Sequence, residues 1–155
     1  MTSGFAFTFA TAKEDQRATR LTVEGEEILA IWAPYEMWGK GKVIHQRVYK
    51  EAYVIATIDG IAYTGYNIVD LHIITNLDTY EFVVTGKLTG YAEWKELVGA
   101  FCGPVVGKGI VGVGPVEGKL TLQGTGDFEG MKMFIDVWRI DELVNGFSGY
   151  ILVPN

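Results

Sequence analysis

Hydrophobic and polar residues alternate with a period of two along most of this chain. Phe5, Phe7 and Phe9 alternate with small residues near the start, and Val43–Tyr49 repeats the alternation. Because successive side chains of a β-strand point to opposite faces, this spacing predicts strands. The chain is therefore predicted to be all-β for most of its length.

The predicted strands are short and closely spaced. Asp59-Gly60 separates two of them and predicts a two-residue hairpin turn, since both turn positions favour positive φ. A meander of strands joined by tight turns closes most naturally as a small antiparallel barrel, here of about 8–10 strands. Beyond Phe5–Phe9, the predicted strands are Arg20–Glu24, Ile28–Ala33, Val43–Tyr49, Ala52–Ile58, Ile61–Tyr66, Ile68–Thr75, Tyr80–Thr85, Glu117–Gly124, Met131–Arg139 and Phe147–Val153.

One segment, Tyr91–Cys102, has helical spacing instead. Apolar residues recur there at positions i, i+3, i+4 and i+7, which are Trp94, Leu97, Val98 and Phe101. This spacing predicts one amphipathic helix that ends at Gly103-Pro104 and plugs or covers an end of the barrel. A chain of 155 residues is long enough for one sizeable core, so a single β-barrel domain is predicted over residues 1–155.

Charge and cysteine content narrow the functional classes. The formal net charge is −6 and no basic cluster occurs, which argues against nucleic acid and anionic membranes as partners. No apolar run approaches the ~18 residues of a membrane-spanning helix. Gly4–Ala12 has the apolar character of a secretory signal but lacks a preceding basic segment, so a first strand is predicted. The single cysteine, Cys102, fits a reducing compartment and predicts a cytoplasmic protein.

The stretch GKGIVGVG, Gly107–Gly114, matches the G-x-G-x-x-G pattern of dinucleotide-binding proteins. That fingerprint needs a strand before it and a helix after it, because the helix N-terminus binds the phosphate. Here the predicted helix comes first, so the stretch is interpreted as a loop that returns to the sheet. Such a loop could also act as the hinge of a lid over the barrel mouth.

The sequence offers only weak candidates for a metal site or a catalytic nucleophile. His45 and His72 are the only histidines, and no H-x-x-x-H or C-x-x-C spacing occurs. Cys102 lies among apolar residues and is interpreted as a small buried hydrophobic residue. The sequence therefore predicts no metal and no organic cofactor.

Ionisable residues at alternating positions in apolar strands are the remaining candidates for chemistry. Asp70 and His72 share a strand face, and Asp136 shares one with Trp138. If these faces line the lumen, burial shifts their pKa values and fits them for acid or base catalysis. The alternative is that they face water on the outside of the barrel. The candidate catalytic residues are Asp70, His72, Asp136 and Glu36.

Large aromatic residues cluster near the predicted loops and the barrel ends. Such side chains commonly line sites for apolar ligands, although each is also an ordinary core residue. Tyr35 and Tyr66 could donate hydrogen bonds to a ligand. The candidate substrate-binding residues are Trp32, Tyr35, Trp38, Tyr66, Trp94, Phe101 and Trp138.

The segment Gly124–Gly130, GTGDFEG, resembles the late glycine-rich turn of allene oxide cyclases and the related dirigent-type barrels. Its glycines allow a tight crossing, and Phe128 is predicted to anchor the turn in the core. The resemblance covers about twenty residues and the general run of strands. It implies a calycin-like barrel that steers a reactive apolar intermediate without a cofactor, and it allows a homodimer or a homotrimer.

Three functions are compatible with these features. The first is a cofactor-independent cyclase or isomerase that steers ring closure of a hydrophobic polyketide, terpenoid or oxylipin intermediate in the lumen. The second is a lipocalin-like carrier of a small apolar ligand. The third is a structural domain with a filled core, which the absence of a ligand-sized cavity would favour.

Overall fold

The protein is an all-β closed barrel of eight antiparallel strands. The structure is a computed structural model that describes residues 18–154, apart from the side chains of residues 113–116. Its strands are β1 (Ala18–Lys40), β2 (Val43–Ile58), β3 (Ile61–Asn76), β4 (Glu81–Trp94), β5 (Leu97–Ile110), β6 (Val113–Gly126), β7 (Lys132–Arg139) and β8 (Val144–Pro154).

The ring closes between the first and last strands of the described chain. Each strand pairs antiparallel with the next one in sequence, and β8 pairs with the Ala18–Ile28 part of β1. Closure pairs β1 on both sides over residues 23–28, whereas residues 31–40 of β1 pair with β2 alone. The predicted antiparallel barrel is thus confirmed for residues 18–154. The prediction of a single domain over residues 1–155 extends beyond them and stays a prediction.

The strands are fewer and longer than predicted. Arg20–Glu24 and Ile28–Ala33 are parts of one continuous strand, β1, which continues to Lys40. A Cβ placed on Gly25 would lie 2.4 Å from the Cβ of Ala56, so glycine marks a close approach to β2, not a turn. Two irregularities in the β1–β2 register, one of them between Pro34 and Glu36, accommodate extra residues in the long strand. The predicted strand Phe5–Phe9 lies outside the described residues.

The predicted helix at Tyr91–Cys102 is wrong, because this segment is a β-hairpin. β4 ends at Trp94, Lys95 adopts a φ of 58°, and β5 begins at Leu97. A two-residue turn places Trp94 directly opposite Leu97 on the same sheet face, which reproduces the i, i+3 spacing of a helix. Val98, which a helix would have buried, points outward and is 57% exposed. No helix occurs between residues 18 and 154.

The predicted Asp59-Gly60 turn is confirmed. It joins β2 to β3, and its two residues have φ values of 50° and 79°. The backbone N–H of Thr22 donates to the Asp59 carboxylate at 2.9 Å, which ties the turn to β1. A turn at residues 77–79 joins β3 to β4.

GKGIVGVG is also a hairpin, and the prediction of a loop is wrong here. β5 continues to Ile110, Val111-Gly112 form the turn, and β6 starts at Val113. The stretch is therefore strand–turn–strand, which lacks the helix N-terminus that a dinucleotide fingerprint requires. Most of it continues the barrel wall, which leaves no hinged loop of the kind that a lid needs.

The Gly124–Gly130 turn fills one end of the barrel. Phe128 is fully buried, and its ring stacks on Phe101 with centroids 5.0 Å apart. A Cβ placed on Gly124 would lie 2.0 Å from the carbonyl oxygen of Phe128, so only glycine lets the turn fold this closely onto β6. The prediction that Phe128 anchors this turn in the core is confirmed. Trp94 and Ile58 are buried at the same end of the strands.

Candidate functional site

The barrel contains a cavity of about 520 Å³ above this filled end. Phe101 contributes to its lining near the filled end, and the hairpin turn between β5 and β6 contributes at the other end. Trp32, Ile110 and Val111 line the cavity yet are 43%, 43% and 52% exposed, so the cavity opens to solvent there. The third hypothesis predicted a filled core, and that prediction is therefore wrong.

Most of the cavity wall is apolar. Strand alternation turns one face of every strand inward, and on β3 that face carries Val69, Leu71 and Ile73. The volume and the lining are typical of sites that bind small organic molecules. The four most deeply buried apolar lining residues are Phe101, Val69, Leu122 and Met133.

A polar group of four residues, the lumen cluster, interrupts this wall. It consists of Glu27, Lys50, Asn67 and Asn145, all of which line the cavity. The Lys50 ammonium donates to Glu27 Oε1 at 2.6 Å, and Asn145 Nδ2 donates to the same oxygen at 3.1 Å. Asn67 Nδ2 donates to Glu27 Oε2 at 2.6 Å. Both carboxylate oxygens of Glu27 therefore accept hydrogen bonds.

The lumen cluster keeps Glu27 ionised although it is buried. Burial alone would raise the pKa of this carboxyl, but attraction to Lys50 and the hydrogen bonds from Lys50, Asn67 and Asn145 outweigh it. The net result is a pKa of Glu27 below its ordinary value. Glu27 is thus an anion with occupied oxygens, which makes it a poor proton acceptor and a good anchor for Lys50.

Lys50 retains hydrogen-bonding capacity toward the cavity. An ammonium carries three N–H donors, and within residues 18–154 Glu27 is its one hydrogen-bond partner. The side chains of Lys50 and Glu27 are only 14% and 10% exposed. Lys50 is therefore a positioned cation in a largely apolar chamber, where a hydrogen bond to a ligand oxygen is stronger than in water.

Tyr63 adds a second polar group to the cavity wall. It lies deep in the barrel, and its burial raises the pKa of the phenol well above the ordinary value. Tyr63 therefore stays protonated at neutral pH and can act only as a neutral hydroxyl.

The structure places Asp70 and His72 on the outer face of the barrel. Their neighbours Val69, Leu71 and Ile73 line the cavity, so alternation turns Asp70 and His72 outward. Of the two placements considered for this pair, the lumen-facing one is wrong. Asp70 accepts a hydrogen bond from the Tyr35 hydroxyl at 2.8 Å and lies 3.4 Å from Arg47 Nη2.

Asp136 and Glu36 also lie outside the lumen. Asp136 is exposed, pairs with Lys119 Nζ at 2.9 Å and shares the outer face of β7 with Trp138. Glu36 is exposed and lies opposite Arg47, whose strand face points outward. The lumen-facing placement considered for Asp136 is wrong, and the candidate Glu36 lies outside the lumen as well, because their strands turn the opposite face inward.

The predicted substrate-binding aromatic residues divide into three groups. Trp32 and Phe101 line the cavity. Trp94 is 7% exposed and belongs to the core at the filled end, where its Nε1 has no hydrogen-bond partner among the described residues. The other four are on the outer face, away from the lumen, namely Tyr35, Trp38, Tyr66 and Trp138.

Two groups of side chains on the outer face are held together by close contacts. His45 Nδ1 lies 3.0 Å from His72 Nε2, and Trp38 stacks on His45 with ring centroids 4.8 Å apart. In the second group, the outer cluster, Tyr49 and Tyr66 both donate to the carboxylate of Glu51. No three His, Cys, Asp or Glu residues within the described chain converge to hold a metal ion.

Sequence reasoning missed the lumen cluster, although two charged dipeptides could have revealed it. Glu26-Glu27 and Lys50-Glu51 each lie inside a strand. Adjacent residues of a strand point to opposite faces, so each pair must direct one charge into a barrel. Only the register between strands decides which member faces inward.

Comparison with known proteins assigns no family to this chain. No protein-family model matches the chain, and no curated protein matches it. The resemblance to allene oxide cyclases rests on Gly124–Gly130 and the strand pattern, and it stays a prediction.

Proposed function

We propose that this protein binds a small, largely apolar organic molecule in its lumen and steers the cyclisation or isomerisation of that molecule without a cofactor. The observation that supports this function is the lumen cluster, a buried Glu27–Lys50 ion pair in an open apolar cavity of about 520 Å³. The apolar walls would restrict the ligand to a reactive conformation, which lowers the entropic part of the barrier.

The buried ion pair favours a catalyst over a container. Removing two charges from water is costly, and apolar residues of similar volume often stabilise a protein at least as well. A container for apolar molecules does not need that cost. A positioned cation does help a reaction in which negative charge develops on an oxygen, because it needs no reorganisation when the charge forms. Lys50 would supply this stabilisation, and Glu27 would hold Lys50 in position.

Ligand entry is tested with the neutral fluorescent probe N-phenyl-1-naphthylamine. Val84 lines the cavity, whereas the adjacent Val83 is 49% exposed on the outer face. We expect Val84→Trp to weaken probe binding by about ten-fold or more, since the indole fills the chamber, and Val83→Trp to change it by less than about two-fold. Equal binding by both variants would place the probe outside the lumen and contradict the proposal.

Catalysis is tested on linear polyketide, terpenoid and oxylipin compounds that cyclise spontaneously. We expect the wild-type protein to change the rate or the product ratio, measured by liquid chromatography. The variant in which Lys50→Met is combined with Glu27→Gln should lose that effect while it still binds the neutral probe. A wild-type protein that binds such compounds but leaves their products unchanged would argue against catalysis.

A carrier is the second candidate, and one observation favours it. Glu27 has both oxygens occupied and a lowered pKa, so the lumen cluster lacks an evident proton acceptor. In a carrier, Lys50 would only orient the ligand. The same double variant would then bind compounds that have a hydrogen-bond acceptor more weakly, with no turnover to lose.

Other expectations about partners remain predictions. These are the dimer or trimer, the cytoplasmic location, and the absence of nucleic acid, membrane and cofactor partners. No helix within residues 18–154 is long and apolar enough to span a membrane.

A further inference from the structure

Polar residues continue from the lumen cluster toward the cavity mouth on neighbouring strands. Asn145 lies directly opposite Glu27 across the β1–β8 pair and directly opposite Arg139 across the β7–β8 pair. Directly opposed residues share a sheet face, so all three belong to the inner wall. Glu27, Asn145 and Arg139 thus form a row across three adjacent strands, with Lys50 bonded to its inner end.

Positive charge exceeds negative charge along this row. Arg139 is exposed at the mouth, and no carboxylate of the described residues lies within 4.0 Å of its guanidinium. Glu27 balances one of the two cations, Lys50 and Arg139. The remaining charged residue of the lining, Glu117, lies opposite Trp138 and shares its outward face. The inner wall therefore carries a net positive charge in a chain whose formal net charge is −6.

We infer that the ligand carries one anionic oxygen group, which Arg139 and Lys50 bind while the apolar body of the ligand occupies the rest of the cavity. This inference rests on the proposed function, because it specifies the ligand of the same chamber. A guanidinium presents a planar fork of donors that matches the two oxygens of a carboxylate or of a 1,3-dicarbonyl enolate. Lys50 lines the same cavity and has free donors for the ligand, and the apolar wall raises the strength of the contact with this largely buried ammonium.

The test uses two probes that share one aromatic skeleton. 1-Anilinonaphthalene-8-sulfonate carries an anion, whereas N-phenyl-1-naphthylamine is the same molecule without the sulfonate. We expect the wild-type protein to bind the anionic probe about ten-fold more tightly than the neutral one, the size of one charge-assisted hydrogen bond. Arg139→Gln should remove most of this preference and leave the affinity for the neutral probe unchanged.

Two further variants separate the cavity from general charge effects. Lys108→Gln removes a cation from the outer face of β5 and should leave the preference intact. The double variant Lys50→Met with Glu27→Gln should reduce the preference without leaving a lone buried charge, so it is expected to fold. Circular dichroism checks the fold of each variant. A preference that survives both Arg139→Gln and the double variant would overturn the inference.

The source of the anion follows from competition with two acids that have matched alkyl chains. Decanoate supplies a carboxylate, and 2-decanoylcyclohexane-1,3-dione supplies an enolate. Displacement of the anionic probe by either acid supports the inference, and the stronger competitor identifies the group. Displacement by neither overturns it.

Failure of this inference can be told apart from failure of the proposed function. If both probes bind with equal affinity and Val84→Trp abolishes the binding of both, the lumen is a binding site but the inference of an anionic ligand is wrong. If neither probe binds in a way that Val84→Trp abolishes, the chamber itself is wrong, and the inference fails with it.

Discussion

The lumen cluster and the outer cluster lie on opposite faces of the barrel wall, share strands β2 and β3, and use similar chemistry in opposite surroundings. Each centres on a glutamate that accepts hydrogen bonds on both oxygens, Glu27 inside and Glu51 outside. Lys50 and Glu51 are neighbours in sequence, yet the barrel wall separates them. The difference shows that the site is defined by the face of the strand and not by residue type.

The largest expected effect separates a buried cation from an exposed one. Lys50→Met leaves Glu27 buried without its counter-ion, so we expect the free energy of unfolding to fall by about 3–5 kcal/mol. Arg47→Met removes a half-exposed cation from the outer face of the same strand and should cost less than about 1 kcal/mol. Urea unfolding at pH 7 measures both, and equal losses would contradict the assignment of inner and outer faces.

An intermediate effect concerns acid stability. The pKa of Glu27 in the folded protein is below its ordinary value of 4.5, so its ionised form stabilises the fold above that pH. This contribution is lost as the pH falls below 4.5 through the pKa of the folded state. We expect unfolding free energies measured between pH 7 and pH 3 to depend less on pH in Glu27→Gln than in the wild-type protein.

Glu51 is the matched comparison for that experiment. Hydrogen bonds from Tyr49 and Tyr66 lower the pKa of Glu51 too, but its carboxylate is accessible to water and more effectively screened. Glu51→Gln should therefore flatten the pH dependence less than Glu27→Gln does. A greater flattening in Glu51→Gln than in Glu27→Gln would mean that water screens the lumen cluster.

The smallest effect is spectroscopic and belongs to the outer cluster. The hydrogen bond from Tyr66 to Glu51, together with partial burial, raises the pKa of Tyr66 from 10.0 to about 12. An absorbance titration of Glu51→Gln should show both Tyr49 and Tyr66 titrating at a lower pH than in the wild-type protein, and adding Tyr66→Phe should remove one of these two transitions. An unchanged titration in Glu51→Gln would show that this hydrogen bond does not form.

Local pattern was sufficient for the strands and for several turns. Period two identified most of the sheet, and Asp59-Gly60 identified a hairpin, because both signals depend only on neighbouring residues. The prediction of a helix was wrong because Trp94 and Leu97 flank a two-residue turn. Such a turn brings residues i and i+3 to one face, as a helical turn does. Single-sequence periodicity cannot separate these alternatives in so short a segment.

The site was less predictable than the fold. Asp70 and Val69 alternate in the same way whether the strand is turned inward or outward, so alternation alone leaves the face undetermined. The face depends on register with distant strands, as with Glu27 opposite Asn145. Phe101 and Trp32 were predicted to bind ligand because large aromatic residues fit most apolar cavities, whereas Lys50 was missed because its partners are far away in sequence.

Closure of the ring has a consequence for how the protein is made. The hydrogen bond between Asn145 and Glu27 spans 118 residues, so this contact cannot form until Asn145 has left the ribosome. Contacts between distant residues form slowly, since the entropy of closing the loop opposes them. Until β8 joins β1, Glu27 lacks one of its donors and the chamber lacks a wall. Completion of the barrel and completion of the binding site are therefore one event in the folding of this chain.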